Sequence, residues 1–147
     1  GIARDAQQDS SERLTRTGFF VGTLQYVAPE ALSGALVGEP ADIYSLATIA
    51  YYLLTARHPF HGKSPRDLFQ QLLNADPRPL KDAAGPDLLV TPTLEQAVMT
   101  GLARDPARRQ KTVRELADQV VAGIREPPPQ PPAAGTVGKL LRALGLR

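Results

Sequence analysis

The stretch from Asp42 to Thr55 constrains this chain more than any other. Ile43, Leu46, Ile49, Ala50, Leu53 and Leu54, with Tyr44, Tyr51 and Tyr52, put apolar groups on nearly every face of a helix. A helix with one apolar stripe lies on a surface, whereas one that is apolar all round is wrapped by other elements. The stretch therefore predicts a central, buried helix, and the rest of the chain has to cover it. Asp42 is expected to cap its N-terminus, where a carboxylate meets free N–H groups and the positive end of the helix dipole. The most apolar part, about Ile49 to Leu54, is far too short to span a bilayer.

The covering elements announce themselves by their start signals. Pro29 is expected to open a short helix running to about Leu32. Ser33-Gly34 and Gly38-Glu39-Pro40 punctuate the loop behind it. Ser64-Pro65-Arg66-Asp67 reads as a cap, a first-turn proline and an acid, ahead of Leu68, Phe69, Leu72 and Leu73. Thr93-Leu94-Glu95-Gln96 and Thr112-Val113-Arg114-Glu115 are capping-box patterns. They lead into the stripes Leu94, Ala97, Val98, Leu102 and Val113, Leu116, Ala117, Val120, Val121, Ile124. No alternating run of strand type stands out, so the chain is expected to be mainly α-helical. Gly1 to Gly18 has no period and reads as a mobile loop. Residues 126–136 are Pro-rich and predict an extended linker. Beyond them, Val137, Leu140, Leu141 and Leu144 with Lys139, Arg142 and Arg147 suggest a short basic amphipathic helix over 137–147.

Composition removes several classes. With 147 residues the chain can bury a core as one domain with a tail. The absence of cysteine excludes disulfides and thiolate metal sites and fits a reducing compartment. Lys and Arg number 17 against 15 Asp and Glu, interspersed along the chain, which leaves no nucleic-acid footprint. No signal-peptide pattern opens the sequence. The location expected is cytoplasmic, with a membrane connection only if an anchor lies beyond the chain. His58 and His61 have no partner ligands at metal spacing and are expected to be surface turn residues.

Four short motifs in one order give the chain a resemblance. Gly22-Thr23 precedes Ala28-Pro29-Glu30; Asp42-Ile43-Tyr44-Ser45-Leu46-Ala47 opens the central helix; Thr55-Ala56-Arg57-His58-Pro59-Phe60 closes it; Asp105-Pro106-Ala107-Arg108-Arg109 comes near the end. This set resembles the bacterial, eukaryotic-like (Hanks-type) Ser/Thr protein kinases, over roughly Gly1 to Arg125. Ala-Pro-Glu is a kinase signature with a phosphosite expected upstream. Gly1-Ile2-Ala3-Arg4 is similar to the residues that follow Asp-Phe in the family's metal-binding motif. The chain is thus expected to begin at that motif's third residue. No G-x-G-x-x-G and no His-Arg-Asp occur in it, and phosphoryl transfer needs both regions.

The resemblance implies the helical C-terminal lobe of the kinase fold, a fragment of an α+β two-lobe domain. It divides the chain into an activation segment (1–30), a helical lobe (31–125), the linker and the terminal helix. It implies a protein kinase that transfers the γ-phosphoryl of ATP, with Mg²⁺, to Ser/Thr of protein substrates. This chain would carry the activation loop and the docking lobe, without the ATP site and inactive alone. Its partners would be protein substrates and the missing N-lobe and catalytic loop of the same kinase.

By the same resemblance, Thr15 and Thr17 are activation-loop phosphosites, with Ser10 and Ser11 as lesser candidates. Gly22 and Thr23 position substrate, the Thr23 hydroxyl pointing to the catalytic Asp and Lys. Glu30 and Arg109 form a structural ion pair, Arg108 being the competing partner. Asp42 anchors the catalytic loop, and Ile49 and Leu53 seat the spine that runs to the adenine pocket. No catalytic or metal-binding residue lies in this chain. Each residue also has a plainer reading: loop threonine, solvated charge, helix cap, core side chain. Two departures stand out. Ala47 replaces the family's Gly, which puts close backbone packing in doubt, and Gln110 replaces a Pro, which is expected to loosen its turn. A non-catalytic pseudokinase-like docking module and an unrelated small helical protein are the alternatives.

Overall fold

Pro40 decides where the long apolar helix starts. A proline suits the first turn, where its missing N–H costs nothing, and the helix begins beside it at Glu39. The computed structural model describes residues 24–35 and 37–127. In chain order these form α1 (Pro29–Leu32), α2 (Glu39–Thr55), α3 (Pro65–Asn74), α4 (Leu80–Ala83), α5 (Pro92–Gly101), a 3-10 turn (Pro106–Arg108) and α6 (Val113–Arg125). There is no strand among the described residues. The expected mobile loop, most of the linker and the terminal basic helix lie outside them.

α2 is the axis of the packing. Its buried Ile43, Tyr44, Ala47 and Tyr51 meet Leu80 of α4, Leu94 and Val98 of α5, Leu102, and Leu116 of α6. α5 and α6 pack on one another and both on α2. Leu24, Phe60, Leu68 and Leu72 form a second, smaller cluster under α3. Buried hydroxyls on α2 are satisfied locally, Thr48 donating to the Tyr44 carbonyl at 3.0 Å and Thr55 to the Tyr51 carbonyl at 2.8 Å.

Three expectations need correction. Asp42 is not the cap of α2: the N-cap is Gly38, and Asp42 is an exposed acid of the first turn. Glu39, at the true start, accepts from the Val113 N–H at 3.1 Å and so joins the beginnings of α2 and α6. α5 is capped by Thr91, not Thr93. The Thr91 hydroxyl accepts from the Leu94 N–H at 3.2 Å and donates to the Gly123 carbonyl at 2.8 Å. That second bond is tertiary, so no local pattern discloses it. Finally, α2 is not wrapped on all sides. Leu46 (39% exposed), Ile49 (41%) and Leu53 (77%) form an open stripe. Val121 and Ile124 of α6 are likewise exposed. The caps at Ser64 and Thr112 are where the sequence puts them, accepting from the Asp67 and Glu115 N–H groups.

The Ala47 departure is accommodated across the interface. Ala47 is fully buried, and a Cβ added at Gly101 of α5 would lie 2.6 Å from the Ala47 Cβ. The methyl that α2 gains is matched by one that α5 lacks. At the other end of α5, Gly123 lets α6 approach the Leu94 backbone, which an added Cβ would meet at 2.5 Å.

The close of α2 is the one described non-glycine residue with positive φ. Ala56, the C-cap, sits at φ 54°, ψ 22°, its N–H donating to the Tyr52 carbonyl at 2.8 Å. A left-handed Ala costs about 1–2 kcal/mol that Gly does not. Gly loses more chain entropy on folding, which offsets part of that. Ala56→Gly should therefore raise stability by about 0.5–1 kcal/mol in urea unfolding.

The Ala47–Gly101 fit makes a sharper prediction. Gly101→Ala should destabilise by about 1–3 kcal/mol through overpacking. Adding Ala47→Gly should recover a large part of the loss. Additive effects of the two substitutions would show that the helices separate there.

Candidate functional site

The turn Pro106–Arg108 delivers one arginine inward and one outward. Asp105 starts it, its carboxylate accepting from the Ala107 N–H at 2.9 Å. Arg108 then faces solvent, while the Arg109 side chain is 0% exposed. Burying a guanidinium is unfavourable unless its protons are matched, and here all five have acceptors. Nε donates to the Ala103 carbonyl at 2.7 Å. Nη1 donates to Glu30 Oε1 and to the Pro40 carbonyl, both at 2.7 Å. Nη2 donates to Glu30 Oε2 at 2.8 Å and to the Arg104 carbonyl at 3.2 Å. The guanidinium carbon also lies 5.0 Å from the centre of the Tyr44 ring. One planar group thus joins α1, the start of α2 and the loop after α5.

Glu30 presents both oxygens to that fork, the bidentate geometry a lysine has no means to match. Burial works against the charge of Glu30. The hydrogen bonds from Arg109, helped by a backbone N–H and the guanidinium charge, outweigh it and hold the carboxyl below its usual range. Beneath the pair, burial pushes the Tyr44 phenol well above its usual range.

The segment before α1 is fastened to α2 at two further points. Ser45 Oγ lies 2.7 Å from the Tyr26 carbonyl and donates to it, with the Ala41 carbonyl at 3.1 Å as a second acceptor. His58 wedges between Tyr26, edge-on at 5.3 Å, and Tyr52, stacked at 4.7 Å. The surface-turn reading therefore fails for His58, which is half-buried, and fits the exposed His61. Its Nδ1 is buried without a partner. Burial, then the nearby His61, depresses the His58 pKa. Tyr26 and Tyr52 are far apart in sequence, and only the fold brings both to His58.

The other residues singled out fall as follows. Asp42, Ile49 and Leu53 share the open stripe of α2 and touch neither Glu30 nor Arg109 through any described hydrogen bond. Thr15, Thr17, Gly22 and Thr23 lie outside the described residues. Gln110 does not loosen its turn. It is 4% exposed and its amide donates to the Ala97 carbonyl at 2.9 Å and to Gln119 at 2.8 Å, tying the turn to α5 and α6. Among the described residues no three His, Cys, Asp or Glu side chains come together as metal ligands.

A family model described as protein kinase domain matches residues 1–123. The serine/threonine-protein kinase pkn2 of Myxococcus xanthus is 37% identical over 122 residues, covering 83% of this chain and 15% of its own length. The serine/threonine-protein kinase PknB of Mycobacterium tuberculosis is 38% identical over 132 residues, covering 89% of this chain and 20% of its own. The chain thus spans a fifth or less of these relatives. Among solved structures, a doubly substituted PknI kinase domain of Mycobacterium tuberculosis aligns with a TM-score of 0.51 at 30% identity, over 68% of this chain and 34% of that one. The twitchin kinase region of C. elegans aligns with a TM-score of 0.58 at 20% identity, over 85% of this chain and 22% of that one, a likeness of fold alone.

The pair predicts a coupled cycle. Glu30→Ala and Arg109→Ala should each cost about 3–5 kcal/mol, because each strands a buried charge. The double variant should be less damaged than the sum, and Arg108→Ala should be nearly silent. Urea unfolding of the wild type and these four variants decides it; additivity would mean the two groups do not interact.

Acid should act in two windows. The lowered Glu30 pKa supplies stability above the ordinary glutamate pKa of about 4.3, lost as pH falls through the folded value. The lowered His58 pKa supplies stability above about 6.5 that fades as pH falls toward its folded value. His58→Gln should remove the upper window and leave the lower one, read as unfolding midpoint against pH.

Proposed function

Because the chain belongs to the protein-kinase family, with homologues among bacterial Hanks-type Ser/Thr kinases, we propose that it is the activation segment and C-terminal lobe of such an enzyme. In this reading residues 1–30 are the activation segment and 31–125 the helical lobe. Residues 126–136 are a linker and 137–147 a short basic helix. The intact enzyme transfers the γ-phosphoryl of ATP, held with Mg²⁺, to Ser or Thr hydroxyls of proteins. The ATP site belongs to a half outside this chain, and this lobe docks the substrate and carries activation control.

The open stripe of α2 is the observation that carries the proposal. Leu53 is largely exposed and Leu46 and Ile49 partly so, while the opposite face of the same helix is fully packed. Covering what remains exposed would be favourable by about 25 cal/mol per Å² of apolar surface. A catalytic half seated there would bring its loop to Asp42, one turn above Leu46 on the same stripe. That is the anchoring role the family pattern assigns to Asp42, with Ile49 and Leu53 as spine seats. Gly22 and Thr23 would stand beside the substrate, on a segment held in place by Glu30 and Arg109. Among the described residues no helix is long and apolar enough to cross a membrane; the lobe is proposed to work on the cytoplasmic side.

Two outcomes test this. Isothermal titration of the chain with Mg-ATP should give no saturable heat, and micromolar binding would contradict the division of labour. In the intact kinase, Thr15 and Thr17 should be phosphorylated. Each phosphate adds about −1.5 to −2 charge, which basic groups near the catalytic loop would order. Mass spectrometry of the ATP-treated enzyme should find phosphate on the Leu14–Phe19 peptide. Thr15→Ala with Thr17→Ala should lower turnover, and undiminished activity would remove both from the mechanism.

A further inference from the structure

A cavity of about 600 Å³ is lined by several neighbours of the Glu30–Arg109 pair, though by neither member of it. Pro29, next to Glu30, lines it, as does Tyr44, whose ring lies under the guanidinium. So do Ala103 and Arg104, whose carbonyls accept from Arg109. Its size suits a small molecule. Phe60, Leu72, Met99 and Leu102 make much of the lining apolar. Tyr44 is 1% exposed and its hydroxyl has no hydrogen-bond partner. An orphaned buried hydroxyl is uncommon in a folded protein and calls for a partner.

The rim is equally selective. Arg104 is engaged by the Ala75 carbonyl and Asp76, at 2.7 and 3.3 Å, and Asp105 by the Ala107 N–H. Arg108 is exposed and makes no side-chain hydrogen bond or ion pair among the described residues. Two lining residues are therefore unsatisfied: Tyr44, a neutral donor whose buried hydroxyl has no partner, and Arg108, a cation without a hydrogen bond or ion pair among the described residues.

We propose that this cavity binds a small amphipathic acid: a flat apolar body, a hydrogen-bond acceptor that meets the Tyr44 hydroxyl, and a carboxylate that meets Arg108. Such a ligand braces Tyr44 and Pro29, two neighbours of the ion pair. Occupancy and the Glu30–Arg109 anchor are then linked reciprocally. The site needs neither ATP nor phosphoryl transfer, so its fate is separate from that of the kinase reading.

The test uses the full chain and 6-hydroxy-2-naphthoate, whose phenol and carboxylate occupy opposite ends of a flat ring system. The chain has no Trp, so the probe's own fluorescence reports binding cleanly. Saturable one-to-one binding is expected. Tyr44→Phe keeps the ring under Arg109 and should weaken it about 2- to 12-fold, the loss of one neutral hydrogen bond. Arg108→Ala, a surface change, should weaken it about 2- to 5-fold. Replacing the carboxylate by an amide should do the same and remove the effect of Arg108→Ala. Failure to saturate at millimolar probe would overturn the proposal. So would equal affinity in the wild type, Tyr44→Phe and Arg108→Ala proteins.

Discussion

Five N–H groups of one arginine hold three parts of this chain together. Arg109 is buried, charged and planar, and its five protons meet oxygens from three stretches: two of Glu30, one of Pro40, and one each of the adjacent Ala103 and Arg104. Such a group does not tolerate partial satisfaction, because every unmatched proton in a low-dielectric site is a large penalty. The short α1 helix is too brief to be stable by itself, so its place depends on Glu30 being gripped. The Ser45 and His58 contacts then align the residues immediately before α1 on the side of α2. In the proposed kinase reading, this is how a helical lobe presents the end of an activation segment in one orientation.

α2 divides its work between two faces. The inner face, with Ile43, Tyr44, Ala47 and Tyr51, makes the core that α4, α5 and α6 close. The outer stripe keeps Leu46, Ile49 and Leu53 open, with Asp42 at its head. In the proposed kinase reading, this stripe is the surface a catalytic half would cover. On that reading the single rigid helix would align the docking segment on one side with a catalytic half seated on the other.

The elements that were legible in the sequence are those specified locally. Ser64 and Thr112 are each followed three residues later by an acid, and both cap where the pattern puts them. The Asp-Pro-x-x-Arg spacing distinguishes Arg109 from Arg108, and the structure turns the former inward and the latter out. What escaped depends on distant partners. Thr91 outcompetes Thr93 as a cap because its hydroxyl also reaches Gly123. Gln110 is held by Ala97 and Gln119, and Ala47 fits only because Gly101 has no Cβ. Apolar residues on every side of α2 signal burial without saying by whom, and composition does not separate a face covered within the chain from one left open. The single turn Leu80–Ala83 is too short to leave a periodic signal.

The central claim is that the guanidinium fork, and not its charge alone, holds the segment around α1 against the helical core. Arg109→Lys keeps the charge and removes the fork. Backbone hydrogen exchange on this variant measures the claim at the amides it concerns. The N–H groups of Val27, Ala31, Ser33 and Ala35, which bond within this segment, should exchange at least about tenfold faster, the effect of losing roughly 1.4 kcal/mol of local protection. Those in the middle of α5 and α6 should keep their wild-type rates. Unchanged exchange at Val27 to Ala35 in Arg109→Lys would contradict the account.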